Sequence, residues 1–523
     1  MTRSERRWCL AYAILLIVLT TAPYLLGLAS QGTAWRFSGF VFGVEDGNSY
    51  IAKMRLGAQG AWLFRTPYST LPQQGVFAFL PYLLLGKIAS GPGLHEQLVA
   101  LYHLARVGAI LLLVPATYSF AAHFLSSTAW RRWVTVLASL GGGLGWLAVW
   151  MGATHWQGSL PLDLISPESF GFLSVLGLPH LAAARALLLL GLLSYLRAPR
   201  LLVPQLGGAL AFLLMGLLQP ISLVPAYAVM GFHVCLIWLT RRDTSQLKAW
   251  LRRFLLSASL SIPLFAYSFL AFLGDPFLRA WTAQNRILSP PPAHYLLAYG
   301  LILVPAVAGI VFAMRERTGD RIVLAGWVIL LPVLAYFPHN LQRRLPEGVW
   351  VALLILAALT LQDWVGGRHW RRWVIAGLST VSLLTSLLLW SGAMQVAAHP
   401  SAPAFLPSSQ ITAFRWLEEH APPGSVVLGS FATGNALPAW APVRVVIGHG
   451  PETIDLSRLR ERVHDFYALA DEKARSELLR EQTVDFVYCG PDEQALAGPA
   501  GWMAGGMSLV FDESGVRLYA VER

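Results

Sequence analysis

The sequence has 523 residues, of which 55% are hydrophobic and 13% are charged. Charged residues make up about a quarter of a typical soluble protein, so this composition excludes an ordinary soluble globular protein. The formal net charge of +11 does not indicate a nucleic-acid partner, because most lysines and arginines lie in short loops between apolar runs, as in the cytoplasmic loops of membrane proteins.

Apolar runs of roughly 17 to 25 residues recur along the chain, a length that crosses a lipid bilayer as a helix. The first follows three arginines and is longer than a typical signal-peptide core, so we expect it to stay as a membrane anchor. A short apolar stretch at 76–90 contains a central proline, and we interpret it as an interfacial helix. About eleven spans are predicted, near 8–30, 98–124, 133–152, 180–196, 201–218, 220–239, 254–273, 293–313, 322–337, 347–362 and 373–394.

The positions of the basic residues predict the orientation of these spans. With a cytoplasmic N-terminus, all basic clusters but one fall on the cytoplasmic side, as the positive-inside rule requires. The exception is the arginine pair of 337–348, which lies on the outer side together with loops 31–97, 153–179 and 274–292. The clusters placed inside are Arg131/Arg132, Arg197/Arg200, Arg241/Arg242/Lys248/Arg252/Arg253, Arg315/Arg317/Arg321 and Arg368/Arg371/Arg372.

An acidic pair, Glu45 and Asp46, lies just beyond the first span. The segment that follows is predicted to form an amphipathic helix with Ile51, Met54, Ala58 and Trp62 roughly on one side. One interpretation is that Asp46 only caps this helix, as aspartate often does. A cap does not account for two adjacent carboxylates at a membrane surface, so we also consider both of them as catalytic residues.

Other polar residues of the outer loops are candidates for a site. Arg343 and Arg344, with His339 beside them, form a basic group that suits a phosphate, because guanidinium groups bind phosphate bidentately; the alternative is contact with bulk phospholipid headgroups. No Cys/His spacing indicates a metal site. The candidate substrate-binding residues are Lys53, Glu168, His180, Gln284 and Asn285.

The last part of the chain, 403–523, differs from the rest. After a Pro/Ser-rich linker, a predicted helix at 408–420 is followed by short strand-like runs that alternate with helical stretches. An odd number of spans places this small α/β domain outside, after a transmembrane domain over 1–396. The predicted strands are 425–429, 443–448, 485–490, 507–511 and 516–521.

This arrangement resembles the C-type fold of integral membrane glycosyltransferases, and is similar in plan to the protein O-mannosyltransferase and aminoarabinose transferase group. The residues that carry the resemblance are VEDGNSY at 44–50 and, more loosely, QRRLPEG at 342–348, and it covers residues 1 to about 395. The chain departs from the mannosyltransferases at 71–87, where LPQQGVFAFLPYLLLGK replaces a stretch like HPPLGK. The substrate therefore cannot be copied from that group.

The resemblance implies an enzyme that moves a sugar from a polyprenyl-phosphate donor to an acceptor glycan, lipid or protein on the extracytoplasmic face of the plasma membrane. Asp46 would be the catalytic base, with Glu45 as its neighbour or substitute, and Arg343, Arg344 and His339 would neutralise the departing phosphate. A single base predicts inversion at the sugar carbon. A divalent metal between Asp46 and the phosphate is compatible with this chemistry, but no cofactor is required by the sequence.

Two other functions fit parts of the sequence. A carrier or flippase for lipid-linked sugars should place ionisable residues inside its spans, whereas few charges lie within the apolar runs here. A non-catalytic membrane assembly protein would account for an outer domain, but it leaves the acidic pair and the paired arginines without a role. The pattern therefore favours the transferase.

Overall fold

The computed structural model describes residues 1–197, 202–315, 319–365, 368–468, 471–498 and 506–522, apart from the side chains of 202–205, 241 and 365. The helices are α1 (Arg3–Ser30), α2 (Val44–Ala58), α3 (Leu80–Gly86), α4 (Leu94–Phe124), α5 (Thr128–Leu140), α6 (Gly145–Trp150), α7 (Leu162–Ile165), α8 (Gly171–Gly177), α9 (Pro179–Arg197), α10 (Leu202–Leu218), α11 (Leu223–Arg241), α12 (Thr244–Ala258), α13 (Ile262–Gly274), α14 (Pro276–Gln284), α15 (Pro292–Tyr299), α16 (Leu303–Arg315), α17 (Ile322–Ala335), α18 (Val349–Val365), α19 (Arg371–Ala398), α20 (Ser408–His420), α21 (Phe431–Trp440), α22 (Leu456–Ala468), α23 (Glu472–Glu481) and α24 (Pro491–Ala497). The strands are β1 (Trp35–Phe37), β2 (Phe405–Pro407), β3 (Val426–Leu428), β4 (Arg444–Val445), β5 (Phe486–Cys489), β6 (Met507–Glu513) and β7 (Val516–Val521).

The chain forms two compact units, each assembled from separate stretches of sequence. The helical unit comprises Met1–Thr21, His103–Phe269 and Arg286–Gly392, and the mixed unit comprises Ala22–Tyr102, Leu270–Asn285 and Ala393–Arg523. The domain boundary that the sequence analysis placed near residue 400 stays a prediction.

Long apolar helices confirm a multi-pass membrane protein. Among the described residues, seven helices are long and apolar enough to cross a membrane, and the pair α12 and α13, bent by 61°, raises this to eight if it counts as one span. Two shorter apolar helices lie at Leu206–Leu218 and Ile322–Ala335. The count of eleven spans and their orientation stay predictions, and Arg200 and Arg317 lie outside the described residues.

The predicted span 133–152 is not one continuous helix. Helix α5 ends at Leu140, and α6 begins only at Gly145. The glycines between them allow a close approach of another segment: a Cβ added at Gly143 would lie 2.1 Å from the carbonyl oxygen of Ala298. Asp163 Oδ2 accepts hydrogen bonds from the backbone N–H groups of Gly143 and Gly145, both at 3.0 Å, which satisfies donors that a helix break leaves free.

A five-stranded sheet forms the centre of the C-terminal part of the mixed unit. The strand order is β4-β3-β5-β7-β6, with β3 parallel to β4 and β5, and with β7 antiparallel to β5 and β6. Val426, Leu428 and Val487 are buried in its core. All five strands predicted from the sequence are present, although β4 is short, and the predicted helix at 408–420 is α20. The sequence therefore predicted the α/β character correctly.

Helix α2 packs closely against α3 within the mixed unit, through glycines that allow the two backbones to approach. A Cβ added at Gly86 would lie 1.7 Å from the carbonyl oxygen of Met54, and one added at Gly57 would lie 2.0 Å from that of Leu83. Because these neighbours are backbone atoms, no side-chain rotation could relieve the overlap. This packing fixes the position of α2, whose first turn carries the acidic pair.

We expect Gly86→Ala to lower the stability of the protein by about 1–3 kcal/mol, because the methyl group must push α2 and α3 apart. The measurement is thermal unfolding of the full chain in lipid nanodiscs. The matched control is Gly108→Ala within α4, where an added Cβ meets no atom within 4 Å and the change should stay within about 1 kcal/mol. Equal stability of the two variants would contradict the packing described here.

Candidate active site

The acidic pair lies in the first turn of α2. Gly43 takes a left-handed backbone conformation (φ 55°) at the N-cap, and the helix runs from Val44 to Ala58. Asp46 is therefore not the helix cap, which corrects that interpretation of the sequence. Both carboxylates lie at the helix N-terminus, where the helix dipole favours negative charge.

Helix α2 is buried on more than the predicted apolar side, because Lys53 and Arg55 are buried as well. Ile51 and Met54 are fully buried. The prediction was wrong for Trp62, which lies beyond the end of the helix and is 63% exposed. The chain leaves the helical path at Gly60, where φ is 95°, so Trp62 no longer follows the helical repeat.

Asp46 and Glu45 contact the same loop, which connects β4 to α22, through different groups. His449 Nε2 lies 3.2 Å from Asp46 Oδ1, and the side chain of His449 is buried, whereas that of Asp46 is 58% exposed. Glu45 Oε1 accepts a hydrogen bond from the backbone N–H of Gly450 at 2.8 Å. Asp46 is thus positioned by an imidazole while much of its surface stays accessible, and Glu45 anchors the loop backbone.

A buried charged network lies behind His449. Glu452 Oε1 is 3.4 Å from His449 Nδ1 and forms an ion pair of 2.5 Å with Lys53 Nζ, and both partners of that pair are only 1% exposed. Ser49 Oγ donates to Glu452 Oε1 at 2.8 Å, and Thr66 Oγ1 donates to Glu452 Oε2. The network links α2 to the loop that carries His449.

The charge state of Glu452 follows from these contacts. Burial alone would raise the pKa of Glu452, but the positive charge of Lys53, the interaction with His449 and the hydrogen bonds from Lys53 and Thr66 outweigh it and hold the pKa below its ordinary value. Glu452 therefore remains a carboxylate at neutral pH. Lys53, predicted as a substrate-binding residue, has this buried ion pair as its main contact, and its role toward a substrate stays a prediction.

Further hydrogen bonds hold the 446–455 loop in place. Thr453 Oγ1 accepts from the backbone N–H groups of Gly448 and His449 and donates to the carbonyl oxygen of Tyr68 at 3.0 Å. Gln284 Nε2 donates to the carbonyl oxygens of Pro451 and Thr453 at 3.0 and 2.8 Å. The amide of Gln284 thus supports the loop, and its predicted contact with a substrate stays a prediction.

Helix α21 is hydrogen-bonded to the first turns of α2 through Asn435. Asn435 Nδ2 donates to the backbone carbonyl of Glu45 at 3.2 Å, and Asn48 Nδ2 donates to Asn435 Oδ1 at 2.8 Å. The hydroxyl of Tyr68 donates to the carbonyl oxygen of Asn435 at 3.0 Å. The 446–455 loop, helix α21 and the segment around Tyr68 are distant in sequence, and together they determine where the first turn of α2 lies.

Reasoning from the sequence missed His449, Glu452 and Asn435. All three lie in the glycine-rich stretch 430–453, in which the sequence analysis selected no site residue. The glycines around His449 have a steric role: a Cβ added at Gly448 would lie 2.3 Å from the backbone of Gly434. Contacts between residues about 400 positions apart, such as Asp46 and His449, leave no local pattern in the chain.

The paired arginines lie in the helical unit. A single 3₁₀ turn, Gln342–Arg344, precedes α18, and the backbone N–H of Arg343 donates to the carbonyl oxygen of Ile287 at 3.2 Å. Arg344 Nε lies 3.2 Å from Glu168 Oε1, and the Arg344 side chain is 34% exposed. His339, two residues before Leu341, accepts that residue's backbone N–H at its Nδ1.

Buried charges fix the backbone beside these arginines. Arg185 Nε forms a 2.9 Å ion pair with Glu347 Oε1, and both side chains are nearly inaccessible. The same guanidinium donates to the carbonyl oxygens of Pro167 and Glu168. The structure thus brings Glu168, Arg343 and Arg344 into one cluster. A role in binding phosphate or substrate stays a prediction for each of them.

The two remaining predicted site residues lie at the ends of helices. His180 is at the start of α9, where its side chain is half-buried. Asn285 follows α14, and its backbone N–H donates to the carbonyl oxygen of Trp281 at 2.9 Å. Across the described ranges, no group of three His, Cys, Asp or Glu side chains is arranged to hold a metal ion. Metal dependence therefore stays open to experiment.

Comparison with known proteins identifies the fold. No protein-family model matches the sequence, and no curated protein matches it significantly. Solved structures do match: the apo oligosaccharyltransferase of Archaeoglobus fulgidus aligns at TM-score 0.57 and 12% identity over 100% of this chain and 75% of that one. The aminoarabinose transferase ArnT of Cupriavidus metallidurans, bound to undecaprenyl phosphate, aligns at TM-score 0.52 and 15% identity over 98% of both chains.

The arabinofuranosyltransferase AftD from mycobacteria aligns at TM-score 0.58 and 15% identity over 99% of this chain but 40% of that one. All three are glycosyltransferases of the C-type class. The chain has the C-type glycosyltransferase fold. The resemblance inferred from residues 44–50 and 342–348 is thereby confirmed at the level of fold.

Proposed function

We propose that the protein transfers a sugar from a polyprenyl-phosphate donor to an acceptor on the extracytoplasmic face of a bacterial plasma membrane. The observation that carries the proposal is the accessible carboxylate of Asp46, positioned by the buried His449 in a C-type fold. Solved relatives in this fold were captured with undecaprenyl phosphate and with dolichol phosphate. Those complexes support a lipid-phosphate donor here as well.

Asp46 would act as the general base. As the acceptor oxygen or nitrogen attacks the anomeric carbon, its proton passes to Asp46, the new glycosidic bond forms, and the bond from that carbon to the phosphate oxygen breaks. A single displacement inverts the configuration at the anomeric carbon. Glu45 is the alternative base, since it is exposed like Asp46, but its carboxylate accepts a backbone N–H from Gly450 and has no imidazole beside it among the described contacts. His449 would keep the Asp46 carboxylate in one orientation.

Arg343, Arg344 and His339 would bind the donor phosphate and neutralise the charge that develops on it as the bond breaks. Phosphate suits the guanidinium group, which offers several donors in one plane. The partial exposure of Arg344 leaves it accessible to a ligand, and Glu168, 3.2 Å from its Nε, would hold the guanidinium in place before the donor arrives.

We expect Arg343→Ala/Arg344→Ala to weaken donor binding by at least about tenfold, because each charge-assisted hydrogen bond to a phosphate contributes roughly 1.5–3 kcal/mol. The measurement is the equilibrium binding of a panel of radiolabelled polyprenyl-phosphate sugars to the protein in lipid nanodiscs. Arg371→Ala/Arg372→Ala is the matched control, an adjacent arginine pair at the start of α19 that should not affect binding. Similar affinities for the two double variants would argue against this phosphate site.

A further inference from the structure

A cleft of about 430 Å³ opens within the mixed unit, beside the network that supports Asp46. Its walls are the C-terminal half of α2, the loop 65–73 and the segment 438–444. Prolines from two of these walls, Pro67, Pro72, Pro438 and Pro442, restrict the backbone around it. The volume lies in the range of sites that bind small organic ligands, and it exceeds what a single inorganic ion would fill.

The charge that lines this cleft has one sign. Arg55, Arg65 and Arg444 contribute to the lining, and none of the described residues contributes a carboxylate to it. Arg444 donates through Nε and Nη2 to the carbonyl oxygen of Ser69, and its burial lowers its pKa. Arg65 is exposed.

Arg55 offers a donor that the described residues do not satisfy. The side chain is 3% exposed; Nη1 pairs with Glu418 Oε1 at 2.7 Å, and Nε donates to the carbonyl oxygen of Ala439 at 3.2 Å. Its Nη2 atom is buried and has no hydrogen-bond partner among the residues that the structure describes. A buried guanidinium N–H without an acceptor is costly, and this atom has almost no accessible surface, so Arg55 contributes its positive charge to the cleft wall.

We infer that this cleft binds an acidic saccharide, the part of the acceptor that carries a carboxylate or a phosphate. Guanidinium groups match either oxyanion, and the exposed amide of Gln59 supplies a hydrogen-bonding partner for sugar hydroxyls; Gln73 and Thr70 in the same wall are hydrogen-bonded to Thr66 and Gln482. The inference rests on the proposed function, because it names the class of acceptor that the transferase would use.

One residue connects the cleft to the candidate base. Thr66 lines the cleft and donates its hydroxyl hydrogen to Glu452, which in turn contacts His449, the partner of Asp46. An acceptor seated between Arg65 and Arg444 would therefore lie against Thr66, whose partner Glu452 is 3.4 Å from the imidazole that orients Asp46.

The test measures binding of two acidic probes, trigalacturonate and a phosphorylated maltotriose, to the full chain in nanodiscs. The neutral controls are the methyl ester of trigalacturonate and unmodified maltotriose. We expect one acidic probe to bind at least about tenfold more tightly than its neutral control, and Arg65→Gln/Arg444→Gln to remove that preference. Arg458→Gln, at a surface arginine in α22, should leave it unchanged.

Three results would overturn the inference: neither acidic probe binds, the neutral forms bind equally well, or Arg65→Gln/Arg444→Gln binds the acidic probe as tightly as the parent. Binding of the polyprenyl-phosphate sugar is measured on the same samples. Donor binding without any preference for acidic saccharides refutes the acceptor class alone. If the parent protein binds no polyprenyl-phosphate sugar, the proposed transferase itself is refuted, whatever the cleft binds.

Discussion

Asp46→Asn is expected to lower the rate of sugar transfer by about 10²–10⁴-fold, the usual contribution of a positioned general base. The amide keeps the size of the carboxylate and can still accept a hydrogen bond from His449 Nε2, so the local structure should persist. Donor affinity should be unchanged, since the phosphate is assigned to other residues. The measurement is single-turnover release of sugar from the donor that binds best, compared with equilibrium binding of the same donor.

Glu45→Gln is the matched control for this prediction. Its side-chain oxygen can still accept the N–H of Gly450, and we expect less than a tenfold loss of rate. A large loss with Glu45→Gln and a small one with Asp46→Asn would move the role of base to Glu45. Unchanged rates in both variants would refute general-base catalysis by the acidic pair.

Lys53→Met is expected to destabilise the protein by about 3–5 kcal/mol, because it leaves the carboxylate of Glu452 buried without its ion-pair partner. The effect should appear as a lower melting temperature of the full chain in nanodiscs. The double variant Lys53→Met/Glu452→Gln removes both charges and should recover much of the loss. Glu452→Gln is measured alone as well. If the double variant loses as much stability as Lys53→Met and Glu452→Gln lose together, the ion pair does not contribute as described.

The pH dependence of stability supplies a second check on Glu452. The folded-state pKa of this carboxyl is lower than in an unfolded chain, so its contribution is present above the unfolded pKa and is lost as pH falls through the folded pKa. The difference in melting temperature between the parent and Glu452→Gln should therefore narrow as the pH is lowered from about 5. If this difference in melting temperature widens as the pH falls, the pKa of Glu452 is raised in the folded protein and not lowered.

Local patterns in the sequence predicted much of the architecture. Apolar runs of membrane-spanning length indicated the helices, and short strand-like runs between helical stretches indicated the strands of the C-terminal sheet. The break between α5 and α6 was not predicted, because an apolar run that includes Gly141, Gly142 and Gly143 has the hydropathy of a span. Its cause is a close approach to Ala298, which depends on tertiary packing.

The candidate site was predictable only in part. Glu45 and Asp46 were conspicuous, since two adjacent acids interrupt an apolar chain just after its first span. His449 and Glu452 could not be selected, because single histidines and glutamates are common in loops. Only their contacts with Asp46 and Lys53 of α2 place them at the candidate site. Lys53 was selected as a substrate ligand, whereas the structure pairs it with Glu452. These partners become visible only when the chain folds.

The most direct test of the central claim follows the anomeric carbon itself. The protein in nanodiscs is incubated with a polyprenyl-phosphate sugar labelled with ¹³C at that carbon, and the bond from sugar to phosphate is followed by NMR. The account predicts that the bond breaks and that the sugar appears in the product with inverted configuration. A donor that binds while its sugar–phosphate bond stays intact with every acceptor supplied, including acidic saccharides, would contradict the account and favour a carrier of lipid-linked sugars.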